Sequence, residues 1–256
     1  MKLAFFQYDV ASKDKIKNLE KIYVNLQQSN FDLIVLPELC TSGYLFNNKK
    51  EVELFAEKIP NGETTELISE LAKKKSAYIV AGMIEYLDGK IYNSAIIAGP
   101  SGYIGKYQKR HLAPIEKKLF ESGTDIPVFK VENYRVGIQI CFDVWFPEAS
   151  RILLDKGTDI ICHPSNFGGS KTNLIARTRS IENSVYTITS NRIGKEKISE
   201  VTADFRGESQ IVDYSGDVIL KAGSNEELFV TEVNIIPDRK KMLLGASLRN
   251  EIKKYN

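Results

Sequence analysis

Asp32-Leu33-Ile34-Val35-Leu36 is the run that most restricts how this chain can fold, because it is short, almost wholly apolar and closed at once by Pro37. A half-exposed strand alternates apolar and polar residues, whereas an uninterrupted apolar run reads as a strand covered on both faces. The chain must therefore place layers on each side of a sheet. Material for those layers flanks the run. Leu3 to Tyr8 reads as an earlier strand, and Lys13 to Gln28 carries Ile16, Leu19, Ile22, Tyr23 and Leu26 at helical spacing. Further helices are expected around Val52 to Glu57 and over Thr64 to Lys75.

Ala77 to Ile84, Ile91 to Gly99 and Tyr103 to Tyr107 read as consecutive strands, parted by Asp88-Gly89 and Pro100-Ser101-Gly102 as turns. Strands follow at Val128 to Val131 and Tyr134 to Ile140, then a helix at Pro147 to Lys156 and a strand at Thr158 to Cys162. A helix at Thr172 to Asn183 and a strand at Val185 to Ser190 come next. The last third alternates apolar and polar residues over Gly207 to Val212, Val218 to Lys221 and Leu228 to Asn234, and so closes as antiparallel strands. A final helix is expected from Pro237. No internal repeat and no Pro/Gly/Ser-rich linker interrupts the pattern, which predicts one α/β domain over residues 1–256 with helices outside.

Hydrophobic residues make up 43% and charged residues 27%, enough to bury a large core without disulfides or structural metal. The net charge of +2 supplies no field to recruit nucleic acid or an anionic membrane. Lys73-Lys74-Lys75 and Lys253-Lys254 read as solvated surface. The opening apolar residues reach Asp9 too soon for a signal peptide or a spanning helix, so a cytoplasmic protein is expected. Cys40, Cys141 and Cys162 form no C-x-x-C clip, and only His111 and His163 are available as imidazole ligands, so neither a disulfide framework nor a metal site is expected.

Three segments share one grammar, in which an apolar strand ends and a chemically active side chain follows. They are Ile34-Val35-Leu36-Pro37-Glu38, Gly105-Lys106-Tyr107-Gln108-Lys109, and Gly137-Ile138-Gln139-Ile140-Cys141. Residues at strand ends of an α/β sheet converge on one crevice even when far apart in sequence. A carboxylate, an ammonium and a thiol would meet there. A thiol needs a base, for which Glu38 is the candidate, and an adjacent cation favours the thiolate. Lys109 would balance charge and, with the backbone N–H of Phe142, stabilise the oxyanion formed when sulfur attacks a carbon bonded to nitrogen. Taken singly, Cys141 also fits a small buried hydrophobe, Glu38 a helix-terminal charge and Lys109 a solvated base.

Together, these stretches resemble the nitrilase superfamily of carbon–nitrogen hydrolases over nearly the full chain. Leu36-Pro37-Glu38-Leu39 is similar to the segment bearing that family's general base, and Tyr107-Gln108-Lys109-Arg110-His111-Leu112 to the one bearing its lysine. Ile140-Cys141-Phe142-Asp143 with Phe146-Pro147-Glu148 resembles its nucleophile elbow. Arg177 to Asn183 and Phe205-Arg206-Gly207-Glu208-Ser209 are further matches. The resemblance gives Glu116 the place of a second glutamate that holds the lysine and helps position substrate. It leaves Asp143 as support beneath the turn. It implies a four-layer αββα sandwich, commonly paired through its helices as a homodimer or higher homo-oligomer, with a C-terminal tail from about residue 237 packing on a partner subunit. It also implies a covalent thioester intermediate and no cofactor. Tyr44, Trp145, Asn166 and Phe167 join Glu116 and Phe142 as candidate substrate-positioning residues, by nearness to the motifs and by resemblance.

Phe142-Asp143 after the cysteine looks like the amidase and carbamoylase branches, so a small amide or N-carbamoyl compound is the first expectation. A small aliphatic nitrile is the alternative, which Thr41-Ser42-Gly43-Tyr44 also suits. From another class, a catalytically silent member that binds ligands or partners stays open. A Cys162–His163 protease pair is disfavoured because neighbouring strand residues face opposite ways. Gly168-Gly169-Ser170-Lys171-Thr172 lacks the Gly-Lys dipeptide and spacing of a phosphate loop.

Overall fold

A computed structural model of the chain describes residues 1–235 together with 242–243, 246–247, 250–251 and 254. Pro237, where a last helix is expected to begin, lies outside the described residues, and so does most of the expected tail.

The apolar run occupies the place its composition demands. β1 (Lys2–Gln7) and β2 (Leu33–Val35) lie parallel, with Leu3, Ala4 and Phe5 opposite Leu33, Ile34 and Val35. Leu3, Phe5, Leu33 and Val35 turn one way, into a core shared with Val136, Ile138, Ile161 and Ile188. Ala4, Phe6, Ile34 and Leu36 turn the other way, onto Ile22 and Leu26 of α1 (Lys15–Gln28) and Ile68, Leu71 and Ala72 of α3 (Glu63–Lys75). Each fully buried aliphatic side chain contributes about 1.5–3 kcal/mol, so a strand with no polar face is stable only between two apolar layers.

β3 (Tyr78–Leu87), β4 (Lys90–Gly99) and β5 (Gly102–Gln108) extend this first sheet as a meander, and β14 (Glu227–Glu232) closes its other edge against β1. The order is β14-β1-β2-β3-β4-β5. The second sheet is built the same way from β6 (Val128–Val131), β7 (Tyr134–Ile138), β8 (Ile160–Ser165), β9 (Tyr186–Asn191), β12 (Gln210–Val212) and β13 (Val218–Lys221), in the order β13-β12-β9-β8-β7-β6. Its central strands β7, β8 and β9 are parallel, and β8 and β9 pack against β1, β2 and β3. α4 (Pro147–Asp155) and α5 (Thr172–Asn183) pack together on the far side. The layers run helix, sheet, sheet, helix, the αββα sandwich that the resemblance implies.

Differences are local. The helix expected over Val52 to Glu57 is the short α2 (Lys49–Glu53), because the Glu57 carboxylate instead accepts from Thr64 N at 2.8 Å and Thr64 Oγ1 at 2.5 Å and so opens α3. Ile16, assigned to the apolar face of α1, is 68% exposed, while Asn18 is buried and hydrogen-bonded to the Ala11 and Thr41 backbone. The strand expected at Thr158 to Cys162 starts later and runs through Ser165. A hairpin that the sequence reading lacks, β10 (Ile193–Ile198) and β11 (Val201–Arg206), stands apart from both sheets.

Gly82 in β3 shows how tightly the first sheet grips the segment after β2. A Cβ there would lie 2.6 Å from Glu38 Cα and 2.7 Å from Pro37 O, so only glycine admits that backbone. Overpacking of this kind costs about 1–3 kcal/mol. Gly82→Ala is therefore expected to lower the thermal midpoint by several degrees; an unchanged melt contradicts the close approach.

Candidate active site

Beyond β2 the chain continues along β3, with Leu36 N bonded to Val80 O at 2.8 Å and Cys40 N to Gly82 O at 2.9 Å, which fixes Glu38 between two anchored residues. Lys109 directly follows β5, and its own N–H donates to Asn93 O at 2.8 Å. Both side chains are fully buried. Lys109 Nζ donates to Glu38 Oε1 at 2.6 Å and to both oxygens of Glu116 at 2.7 and 2.8 Å. Asn93 Nδ2 joins the two acids, 2.7 Å from Glu38 Oε1 and 2.8 Å from Glu116 Oε1, and Ala113 N donates to Glu116 Oε2 at 2.6 Å. Within this cluster Glu38 Oε2 and Asn93 Oδ1 are buried without a partner.

Burial pushes Glu38 up to about 7; the Lys109 ammonium opposes this and the Glu116 charge adds to it. Burial also disfavours the Lys109 ammonium, but the Glu38 and Glu116 carboxylates outweigh it and hold the lysine well above its ordinary value. One ammonium thus faces two carboxylates. The Cys141 thiol is raised well above its usual value, first by burial and then by the Glu38 charge, with Lys109 and the Asn166 backbone N–H pulling the other way. The lysine does favour the thiolate, as expected, but burial and the neighbouring carboxylates outweigh it. The Cys141 sulfur is therefore a thiol at neutral pH.

Cys141 opens a single 3-10 turn, Cys141–Trp145, with φ +44°, a left-handed conformation that costs a non-glycine residue about 1–3 kcal/mol. Neighbours hold the turn. Asp143 Oδ2 accepts from Ile140 N at 2.9 Å and from the Tyr107 hydroxyl at 2.8 Å, while Oδ1 accepts from His111 N at 2.9 Å and faces His111 Nδ1 at 2.9 Å. The elbow of the second sheet is thereby tied to the lysine segment of the first. Arg179 of α5 donates to Val144 O at 2.9 Å and Trp145 O at 3.4 Å. His163 Nε2 lies 3.0 Å from Cys141 O, while Cys162 points into the inter-sheet core, so the two do not form a pair.

The outer residues differ in how they are placed. Tyr44 N and Leu45 N both donate to the Glu196 carboxylate of β10, at 3.0 and 2.7 Å to Oε2, in a backbone nest made possible by Gly43 at φ +86°. Glu196 is paired with the fully buried Arg192. This latch brings the Tyr44 phenol under the influence of Glu116, Lys109, Glu38 and Cys141, and burial with those carboxylates raises it well above its usual value. Phe167 is buried, its N–H and C=O both bound by the Asn191 side chain at 2.9 Å. Asn166 is buried with neither end of its amide paired, against the rule that buried polar groups find partners. Phe142 is half-buried, edge-on to Phe146, and Phe146 stacks on His111 at 4.0 Å. The Trp145 side chain is 41% exposed, and the turn is held through its carbonyl.

Asn93 and the Arg192–Glu196 pair are absent from the sequence reading, where His163 figures only as a spare imidazole and as half of a disfavoured protease pair. Asn93 leaves a faint signal, an amide beside Ser94 inside the mostly apolar Ile91 to Gly99 strand. Among the described residues no group of three or more His, Cys, Asp or Glu is arranged to hold a metal ion, and Lys109 fills the space between the two carboxylates. A free carboxylate oxygen, a thiol and an ammonium suit attack on a polarised carbon with proton transfer.

The pattern of the carbon-nitrogen hydrolase family matches residues 2–236, and the chain belongs to that family, the nitrilase superfamily. It is a hydrolase of carbon–nitrogen bonds. It is 38% identical to a nitrilase of Pyrococcus abyssi, over 95% of this chain and 93% of that one. It is 31% identical to the omega-amidase NIT2 of Homo sapiens, over 91% and 88%. The crystal structure of a carbon-nitrogen hydrolase from Helicobacter pylori G27 superimposes with a TM-score of 0.83 at 25% identity, covering 90% of this chain and 88% of that one. None of the described helices is long and apolar enough to cross a membrane.

Alkylation of Cys141 by iodoacetamide is expected to accelerate as pH rises through about 7, where Glu38 loses its proton. Glu38→Gln should remove that inflection and slow alkylation at pH 8 by about 100-fold. The same profile in both proteins contradicts the pairing of this acid with this thiol.

Proposed function

We propose that the chain is an amidase that hydrolyses a small amide or N-carbamoyl compound through a thioester on Cys141, with Glu38 as base, Lys109 and the Phe142 N–H as oxyanion donors, and Glu116 holding Lys109. The observation that carries this reading is the unpaired, buried Glu38 Oε2 on a carboxylate raised to about 7, beside a thiol raised well above its usual value. A base near neutrality both takes and returns protons at pH 7.

Cys141 Sγ attacks the carbonyl carbon as Glu38 takes the thiol proton. The carbonyl oxygen becomes an oxyanion between Lys109 and the Phe142 N–H. Glu38 gives its proton to the leaving nitrogen, the carbon–nitrogen bond breaks, and ammonia departs. Glu38 then takes a proton from water, whose oxygen attacks the thioester, and collapse releases the carboxylic acid and returns the proton to sulfur. A carbamoyl substrate would give the amine and carbon dioxide in place of the acid, together with ammonia. Asn166, with its amide unpaired, and Tyr44, latched over the charged cluster, are the proposed substrate contacts, with Phe142 and Phe167 as apolar walls. The 31% identity to an omega-amidase supports the amide. Assembly as a homodimer in the cytoplasm belongs to the same reading, with Leu174 and Ile181 leaving apolar surface exposed on α5.

A nitrile is the second reading, favoured by the 38% identity to a nitrilase. Sulfur would add to the nitrile carbon, one water would displace ammonia from the resulting thioimidate, and a second would release the acid from the same thioester. Ammonia release measured across short amides, ω-amides, N-carbamoyl amines and aliphatic nitriles separates the two. Turnover of an amide at least 10-fold above any nitrile is expected, with Cys141→Ala abolishing it and Glu116→Gln reducing it by about 100-fold. Preference for a nitrile overturns the first reading, and release of ammonia by Cys141→Ala overturns both.

A further inference from the structure

His163 sits in β8 with no exposure to water, directly beneath the nucleophile, and the hydrolytic scheme leaves it unused. Its hydrogen bonds define its tautomer. Cys141 O, 3.0 Å from Nε2, is only an acceptor, so Nε2 carries the proton. Nδ1, 3.1 Å from Thr189 Oγ1, then accepts from that hydroxyl. Ser165 Oγ also lies 3.1 Å from Nε2, while 3.2 Å from His163 O, to which it donates. Burial lowers His163 to about 4, so the ring is neutral at pH 7 and has this single N–H to give.

The carbonyl it meets belongs to the same peptide group as the Phe142 N–H. That group is planar and trans, so its C=O and N–H point in opposite directions and fixing one aims the other. Among the described residues no backbone or side-chain acceptor takes the Phe142 N–H. A hydrogen bond to the carbonyl also polarises the N–H at the other end. We propose that His163 is a positioning residue, whose Nε2–H to Cys141 O bond orients and polarises the peptide group that presents the Phe142 N–H to the oxyanion. The inference rests on the hydrolase reading, in which that N–H meets the oxyanion.

The rival role for His163 is to prop up the strained elbow, and the two separate experimentally. Alkylation of Cys141 by iodoacetamide needs the elbow but forms no oxyanion. A small aliphatic aldehyde needs both, because sulfur adds to its carbon and the thiol proton passes to its oxygen, giving a thiohemiacetal. Protection of Cys141 against iodoacetamide by propionaldehyde measures that affinity without any turnover. His163→Leu should alkylate within about 2-fold of wild type, yet bind the aldehyde about 10-fold more weakly and lose about 10- to 100-fold in kcat with little change in KM. His163→Gln, which keeps an amide donor at that reach, should recover most of both losses. If the leucine variant does not fold, His163→Asn, polar but too short for the carbonyl, takes its place. Equal aldehyde affinity in all variants overturns the proposal, as does a parallel loss of alkylation. A wild type that binds no aldehyde also overturns it, since no oxyanion site then exists to orient. A wild type that binds aldehyde but releases no ammonia from any substrate sinks the hydrolase reading while the aldehyde comparison still decides the role of His163.

Discussion

Lys109 Nζ, cut off from water and held between Glu38 and Glu116, is the interaction on which the rest of the site depends. An isolated buried ammonium is strongly disfavoured, and removing one partner of a buried ion pair typically costs about 3–5 kcal/mol. The cluster avoids this by full engagement: Nζ meets three carboxylate oxygens, and Asn93 ties the acids to each other. Because two acids share one cation, the compensation is incomplete. That residual negative charge, added to burial, lifts Glu38 to about 7 and keeps the Cys141 proton in place. The same arrangement that makes the lysine tolerable therefore brings the glutamate's titration close to neutrality.

The sandwich brings these groups together from separate sheets. Glu38 and Lys109 follow strands of the first sheet, and Cys141 follows β7 of the second. Packing between sheets is non-directional and would not by itself set a thiol against a carboxylate. Asp143 supplies the direction, since one carboxylate binds the elbow at Ile140 N and the lysine segment at the Tyr107 hydroxyl and His111 N. The hairpin β10–β11 adds a third connection, in which Glu196 in the backbone nest of Tyr44 and Leu45 ties the segment after Glu38 to buried Arg192.

Much of this was legible in the chain. The unbroken apolar run at Leu33 to Leu36 required cover on both faces and received it, and three strand ends with an acid, a lysine and a cysteine were conspicuous because chemistry there interrupts apolar sequence. What was not legible depends on pairing across the fold. Asn93 is unremarkable until β4 sets it beside two acids, and Glu196 sits in a largely polar strand, Ile193–Ile198, with no apolar alternation to betray it. How far burial raises the thiol was illegible for a related reason, since proximity of a cation is visible in motif spacing but the depth of burial is not.

The central claim is that bond cleavage passes through an acyl group on Cys141 sulfur. Mass spectrometry of protein acid-quenched during turnover, digested and mapped, tests it directly. The account predicts a mass increment equal to the acyl portion of the substrate, confined to the peptide bearing Cys141. An increment on any other peptide, or none at all in a sample releasing product, would contradict it.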